Sequence, residues 1–263
     1  MIRQELKLAI FNRRTLLGIV IILICLLGIS VPEWIISKDW GTEYRQSALQ
    51  QSISGIFFGG VMLLLPFCSS LSYATMQVDE LDTSIMRWKL IRSSTRRYGV
   101  SKIAANAISS GITVAVAFAL HSILWNTIAL PCDPIAYPYH EIVFSDTCLY
   151  RTWYSTCYGV PMYISIMFGL FICASVWGTV ALAISIWLPD HLLTLIIPSC
   201  IYYLLSANIL NSLLGWRLPH PATLYNDGLT LVDAIQSLIE YLIIFVLACI
   251  IYMIGIKRRA QHA

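Results

Sequence analysis

Charge is what this sequence has least of. Seventeen Lys and Arg and fourteen Asp and Glu are spread over 263 residues, 12% in all, against 58% hydrophobic residues. An average soluble chain carries about 25% charged residues, so a water-facing globule is excluded. The formal net charge of +3 offers no basic footprint, and no nucleic-acid partner is expected. No G-x-x-x-x-G-K-[ST] occurs, so no loop of this chain is built to cradle a nucleotide phosphate. Repeats of solenoid period and low-complexity tracts are missing as well. The chain reads as one transmembrane domain over 1–263.

Apolar runs occupy the space that charge leaves. A hydrocarbon core about 30 Å thick needs about 20 apolar residues per helix. Six runs meet that need, at 15–36, 53–76, 103–130, 160–188, 192–214 and 231–256. The expected fold is an all-α polytopic membrane protein with six transmembrane helices. The first run follows Arg13 and Arg14 as a signal peptide would, but it is too long and offers no small-x-small cleavage site, so it is expected to stay as a helix.

Basic residues give the direction. Thirteen fall on one side of the six-span scheme: Arg3, Lys7, Arg13 and Arg14; Arg87, Lys89, Arg92, Arg96, Arg97 and Lys102; Lys257, Arg258 and Arg259. Only Lys38, Arg45, Arg151 and Arg217 fall on the other. The positive-inside rule then places both termini in the cytoplasm.

On the outer side, the long loop 131–159 holds Cys132, Cys148 and Cys157, and one disulfide among them is expected in an oxidising compartment. Which two pair is open. Their spacing with His140 matches no zinc pattern, so no metal is expected. Tyr137, Tyr139, Phe144, Tyr150, Trp153, Tyr154 and Tyr158 make the same loop aromatic. A lid for an amphipathic ligand and an aromatic belt at the headgroups are equal readings. Segment 214–230, with Pro219, Pro221, Asn226 and Gly228, is broken by turn residues and could re-enter the outer leaflet.

Two inner segments stand out. In 1–14, Ile2, Leu6, Ala9 and Ile10 share one helical face and Arg3, Lys7 and Arg14 another, the pattern of a helix lying in the membrane interface. In 77–102, Asp79, Glu80 and Asp82 come first, as acids at a helix start. Ile85, Met86, Trp88, Leu90 and Ile91 then interleave with Arg87, Lys89 and Arg92, and Ser94 or Thr95 is placed to cap the next helix. This loop is too short for a domain, so it is expected to be a short helix that meets a cytoplasmic partner.

Taken together, this arrangement resembles the membrane permease subunit of type-2 ABC exporters. Gln4-Glu5-Leu6-Lys7 ahead of Asn12-Arg13-Arg14-Thr15-Leu16 is similar to that family's start. Glu80-Leu81-Asp82-Thr83 and the later Arg96-Arg97-Tyr98-Gly99-Val100-Ser101-Lys102 resemble its acidic-glycine-threonine element and its entry to helix three. Asp82 stands where the family usually has glycine. The resemblance implies a coupling helix in which Asp79, Glu80, Asp82, Thr83, Arg87, Trp88 and Arg92 contact a separate ATPase subunit. It also implies ATP and Mg on that partner and none bound here, a second permease copy or a sister permease, and a bacterial plasma membrane. Export of an amphipathic substrate follows, whether peptide antibiotic, lipid or drug, with antimicrobial peptide resistance as one setting.

Polar residues inside the spans are the candidates for the path itself. Asp233, Gln236 and Glu240 are spaced by three and four on one face of the last helix, and intramembrane acids face a cavity or a partner. His121 and Asn208 join them as candidates for the translocation pathway or the dimer seam. Gly55 and Gly59 form a G-x-x-x-G, and Pro66 and Pro198 should kink their spans.

Two other classes compete with transport. An intramembrane peptide-processing enzyme would need a pair such as Cys68 with His191. A ligand-sequestering immunity or sensor protein would use the aromatic outer loop. On the transport reading this chain has no catalytic residue of its own.

Overall fold

A computed structural model describes residues 2–38, 46–57, 61–83, 85–130, 159–206 and 231–261. Every regular element among them is a helix: α1 Ile2–Ile10, α2 Arg13–Lys38, α3 Ala48–Phe57, α4 Val61–Asp82, α5 Ile85–Ile91, α6 Thr95–Ile128, α7 Val160–Trp187, α8 His191–Ser206 and α9 Leu231–Gln261. A single parallel bridge joins Ser47 to Leu130. Among the described residues four helices are long and apolar enough to cross a membrane, at Arg13–Ser37, Thr95–Ile128, Val160–Trp187 and Ala234–Gln261. The apolar helix His191–Leu205 is shorter. The outer-loop cysteines Cys132, Cys148 and Cys157, segment 214–230, Asn208 and Gly59 lie outside the described residues, as do the side chains of Arg87 and Asp233.

Helix α7 is the hub. It packs most extensively on α6 and α4, and carries α8 and α9 on its remaining faces. Hydrophobic burial cannot drive apolar helices together in lipid, so close packing and interhelical hydrogen bonds must do so. The sequence supplies small residues where the axes approach. A Cβ on Gly178 of α7 would collide with Ser110 of α6, and one on Gly111 with Phe171. Hydroxyls then bridge the helices. Ser110 Oγ donates to the Ser69 carbonyl at 2.8 Å, and Ser175 Oγ to that of Ala107 at 2.8 Å. The apolar core around these contacts is anchored by Phe118, Ile166, Leu170 and Trp177. A second core, of Ala74, Met86, Tyr98, Leu182, Ile186, Tyr252 and Ile256, closes the end of the bundle that bears most of the basic residues.

Two elements depart from the sequence expectations. Of the apolar run 53–76, the described residues belong to α3 and α4, and residues 58–60 between them lie outside the description. The acids Asp79, Glu80 and Asp82 form the last turn of α4 rather than the start of a helix. There the macrodipole opposes negative charge, and cations brought from elsewhere offset it. Helix α1 keeps Ile2 half exposed and buries Ala9 together with Glu5. An acid is buried on its docked face because two lysines meet it in the bundle. The cap on α6 is where the sequence puts it: Ser94 Oγ accepts from the Arg97 N–H at 3.3 Å.

Candidate functional site

The basic end of the bundle contains a closed ring of four charges. Tyr73, Gln77 and Glu80 recur at spacings of four and three, so one face of α4 carries all three inward. Tyr98 and Lys102 do the same on α6. Lys102 is fully buried, and its Nζ lies 2.5 Å from Glu80 Oε1, 2.9 Å from Glu5 Oε2 and 2.8 Å from the Tyr73 hydroxyl. Lys89 of α5 completes the ring from the rim, at 2.7 Å from Glu5 Oε1 and 2.8 Å from Glu80 Oε1. Two carboxylates and two ammonium groups cancel, so the ring as a whole is neutral. The Lys102 ammonium also sits 4.8 Å from the centre of the Tyr73 ring and 5.7 Å from that of Tyr98, within cation–π range.

Every donor in the ring has an acceptor, and the proton order runs in one direction. Tyr252 of α9 donates to Gln77 Oε1 at 3.3 Å, and Gln77 Nε2 donates to the Tyr98 hydroxyl at 3.3 Å. Tyr98 in turn donates to Glu80 Oε2 at 3.0 Å, and Tyr73 donates to Glu5. A buried polar network satisfied in this way rigidifies what it joins, and it joins five helices: α1, α4, α5, α6 and α9. Burial raises the Glu5 carboxyl, but the Lys102 charge and the hydrogen bonds from Lys89, Tyr73 and Lys102 outweigh it, bringing Glu5 down to about 2. Lys89 behaves in the mirror sense. Burial lowers its ammonium, and the two carboxylates raise it above its ordinary value.

Around the ring, α5 shows two faces. Met86 is buried and Lys89 is held by the carboxylates, whereas Ile85, Trp88 and Ile91 are 44%, 66% and 76% exposed. Their spacing of three places them along one outward stripe, next to exposed Asp82, Thr83 and Arg92. The expected contact residues thus divide. Asp82, Thr83, Trp88 and Arg92 face outward, and Thr83 Oγ1 donates back to the Asp79 carbonyl at 2.6 Å. Asp79 is half-exposed and bridges Arg14 at 2.9 Å and His191 Nε2 at 3.2 Å. Glu80 is 7% exposed and belongs to the ring. It positions α5 and α6 from within rather than reaching outward itself.

The intramembrane candidates lie apart from this site. His121 is fully buried at the junction of α2, α3 and α6, beside Gly55, where an added Cβ would come within 3.3 Å of the ring. Its Nε2 accepts from Trp125 Nε1 at 2.9 Å and lies 3.0 Å from Ser30 Oγ. Indole is a donor only, so the imidazole proton resides on Nδ1, which has no partner among the described residues. Glu240 accepts from Gln236 at 3.0 Å through one oxygen, while the other is buried and has no partner among the described residues. Cys68 and His191 are not brought together. His191 meets Asp79, eleven residues beyond Cys68 on α4, or about 16 Å along the helix.

The residues that sequence reasoning passed over are Glu5, Tyr73, Gln77, Lys89, Tyr98, Lys102 and Tyr252. A signal existed in the helical spacing of Tyr73, Gln77 and Glu80 against that of Tyr98 and Lys102. Lysines beside a span instead read as topology markers.

The described residues are all-helical, and four of their helices are long and apolar enough to cross a membrane. Compared with known protein families, with curated proteins and with solved structures, the chain matches none.

Proposed function

We propose that this chain is the transmembrane subunit of an ATP-driven exporter. It crosses the membrane six times with both termini in the cytoplasm, and works with a separate nucleotide-binding ATPase and a second permease copy or a sister permease. The basic end of the bundle is then the cytoplasmic end. The observation that carries the reading is α5: a helix of seven residues, held from inside by Met86 and Lys89, that turns Ile85, Trp88 and Ile91 away from the bundle. An apolar stripe rimmed by Asp82 and Arg92 suits a groove on a partner protein. Because the charge ring ties α5 to α1, α4, α6 and α9, a push on that stripe reaches the spans as a unit. The apolar spans, with few fixed charges, favour an amphipathic cargo.

The test is affinity purification of the full chain from its native membrane in mild detergent, beside a Trp88→Ala, Ile91→Ala variant. The wild type should bring down a stoichiometric protein bearing a phosphate-binding loop, together with ATP hydrolysis. Loss of both side chains should weaken that association at least tenfold without altering the melting of the membrane domain. Recovery of the wild-type chain with no associated ATPase would overturn the reading.

A further inference from the structure

Helices α8 and α9 both lie on α7 but make at most marginal contact with each other. The wedge between them is a groove of about 350 Å³, within the range of sites that hold small molecules, about 300–1,000 Å³. Its wall is apolar along its length, with Trp177 at one level, Ala183, Ile201 and Ala248 further along, and Trp187 and Ile251 at the basic end of the bundle. Ten residues of α7 separate the two tryptophans, so the groove runs about 15 Å along the helix.

The mouth differs in chemistry from the wall. Trp187 is 40% exposed and its Nε1 donates to the Ile251 carbonyl at 3.3 Å, which fixes the ring as one lip. The Arg258 guanidinium lies 5.7 Å from the centre of that ring. Arg259 anchors the same turn of α9 by donating from Nε to the Ile186 carbonyl at 2.7 Å. Lys257 and Arg258 are exposed, and no carboxylate among the described residues pairs with either. Two acids at the same end of α7 and α8 are engaged elsewhere: Asp190 Oδ1 accepts from the Leu193 N–H at 2.9 Å, and Asp79 holds Arg14 and His191.

An apolar slot with the Arg258 cation at its lip, and exposed Lys257 next to it on α9, has the shape of one kind of ligand. The geometry points to an anionic phospholipid, one acyl chain between α8 and α9 along α7 and the phosphate at Arg258 and Lys257. Trp187 stands at the level where an interfacial aromatic meets the headgroup, and lysine and arginine next to a span attract anionic lipid. Binding does not depend on the exporter reading; only the leaflet does, since the orientation proposed above makes it the cytoplasmic one.

Two groove tryptophans provide the readout. The full chain in detergent micelles is titrated with phosphatidylglycerol or phosphatidylcholine carrying brominated acyl chains, which quench nearby indoles. Comparison with Trp177→Phe and Trp187→Phe isolates the groove signal. Brominated phosphatidylglycerol should quench that signal at a mole fraction several-fold lower than brominated phosphatidylcholine does. Lys257→Gln with Arg258→Gln should erase the difference. Filling the slot with Ala183→Phe, or from the opposite wall with Ala248→Phe, should remove the quenching, so a folding defect in one variant leaves the other informative. Equal quenching by both lipids, or a preference untouched by the Lys257 and Arg258 substitutions, would overturn the assignment. Quenching by a brominated fatty acid but not by brominated phosphatidylglycerol would overturn the lipid as its source and leave a free anionic amphiphile.

Discussion

Replacing Lys102 by methionine tests the charge ring most directly. Each of its four ion contacts, at 2.5–2.9 Å, is worth about 6 kcal/mol of attraction at an effective dielectric of about 20. Desolvation of each ion takes back several kcal/mol, so the intact ring is near balance and its value lies in being neutral. Lys102→Met keeps the length and apolar volume of the side chain but leaves two carboxylates against one ammonium, a net charge of −1 in a fully buried site. Breaking a buried pair in this way typically costs about 3–5 kcal/mol. Adding Glu5→Gln restores neutrality with the Lys89–Glu80 pair, and the glutamine can still accept from Tyr73. The double variant should therefore recover on the order of 2 kcal/mol relative to Lys102→Met alone. Unfolding in mixed micelles by SDS titration, with helicity as the signal, measures all four corners of the cycle. A loss below about 1 kcal/mol for Lys102→Met, or a double variant that is the plain sum of the singles, would refute a coupled ring.

Two further outcomes follow from the same geometry. The Glu5 carboxyl sits at about 2 in the fold against 4.5 for the free group, so it contributes stability that is complete above 4.5 and drains as pH falls toward 2. At about 1.36 kcal/mol per pH unit the full effect is on the order of 3 kcal/mol; a fluorophore on Gln4 should report release of α1 in that acid window, and Glu5→Gln should flatten the response. His121→Leu removes an unpartnered Nδ1–H while Trp125 Nε1 keeps Ser30 Oγ at 3.1 Å. That exchange should leave stability within about 1 kcal/mol of wild type, and a loss above about 3 kcal/mol would mean that the imidazole is held by something further.

The spans were legible because hydropathy alone sets them: α2, α6, α7 and α9 start and stop within a few residues of the apolar runs, apart from the extension of α6 back to Thr95. Ser94 was legible because a cap is a local device. What escaped was pairing at long range. Glu5 and Lys89 are 84 residues apart, and Gln77 and Tyr252 are 175; no local pattern marks such partners. Lys102 reads as one more cation on the inner flank, since orientation counts charges without asking what they face. Asp79 and Glu80 misled for a related reason. Acids favour the start of an isolated helix, and only the tertiary cations Arg14, Lys89 and Lys102 explain how a helix can end on them. On α1 the hydrophobic periodicity set Ala9 among the apolar residues but gave no sign that Glu5 would be buried beside it, because Glu5 is held by Lys89 and Lys102 from distant parts of the chain.

The ring also sets an order of assembly. During synthesis Glu5 is made 84 residues before Lys89 and still further ahead of Lys102, and Tyr252 follows Gln77 by 175 residues. A lone carboxylate cannot enter the bundle at a tolerable cost, so α1 stays in the aqueous interface until α5 and α6 have been made. Helix α1 thus docks only after α5 and α6, although it is made before both.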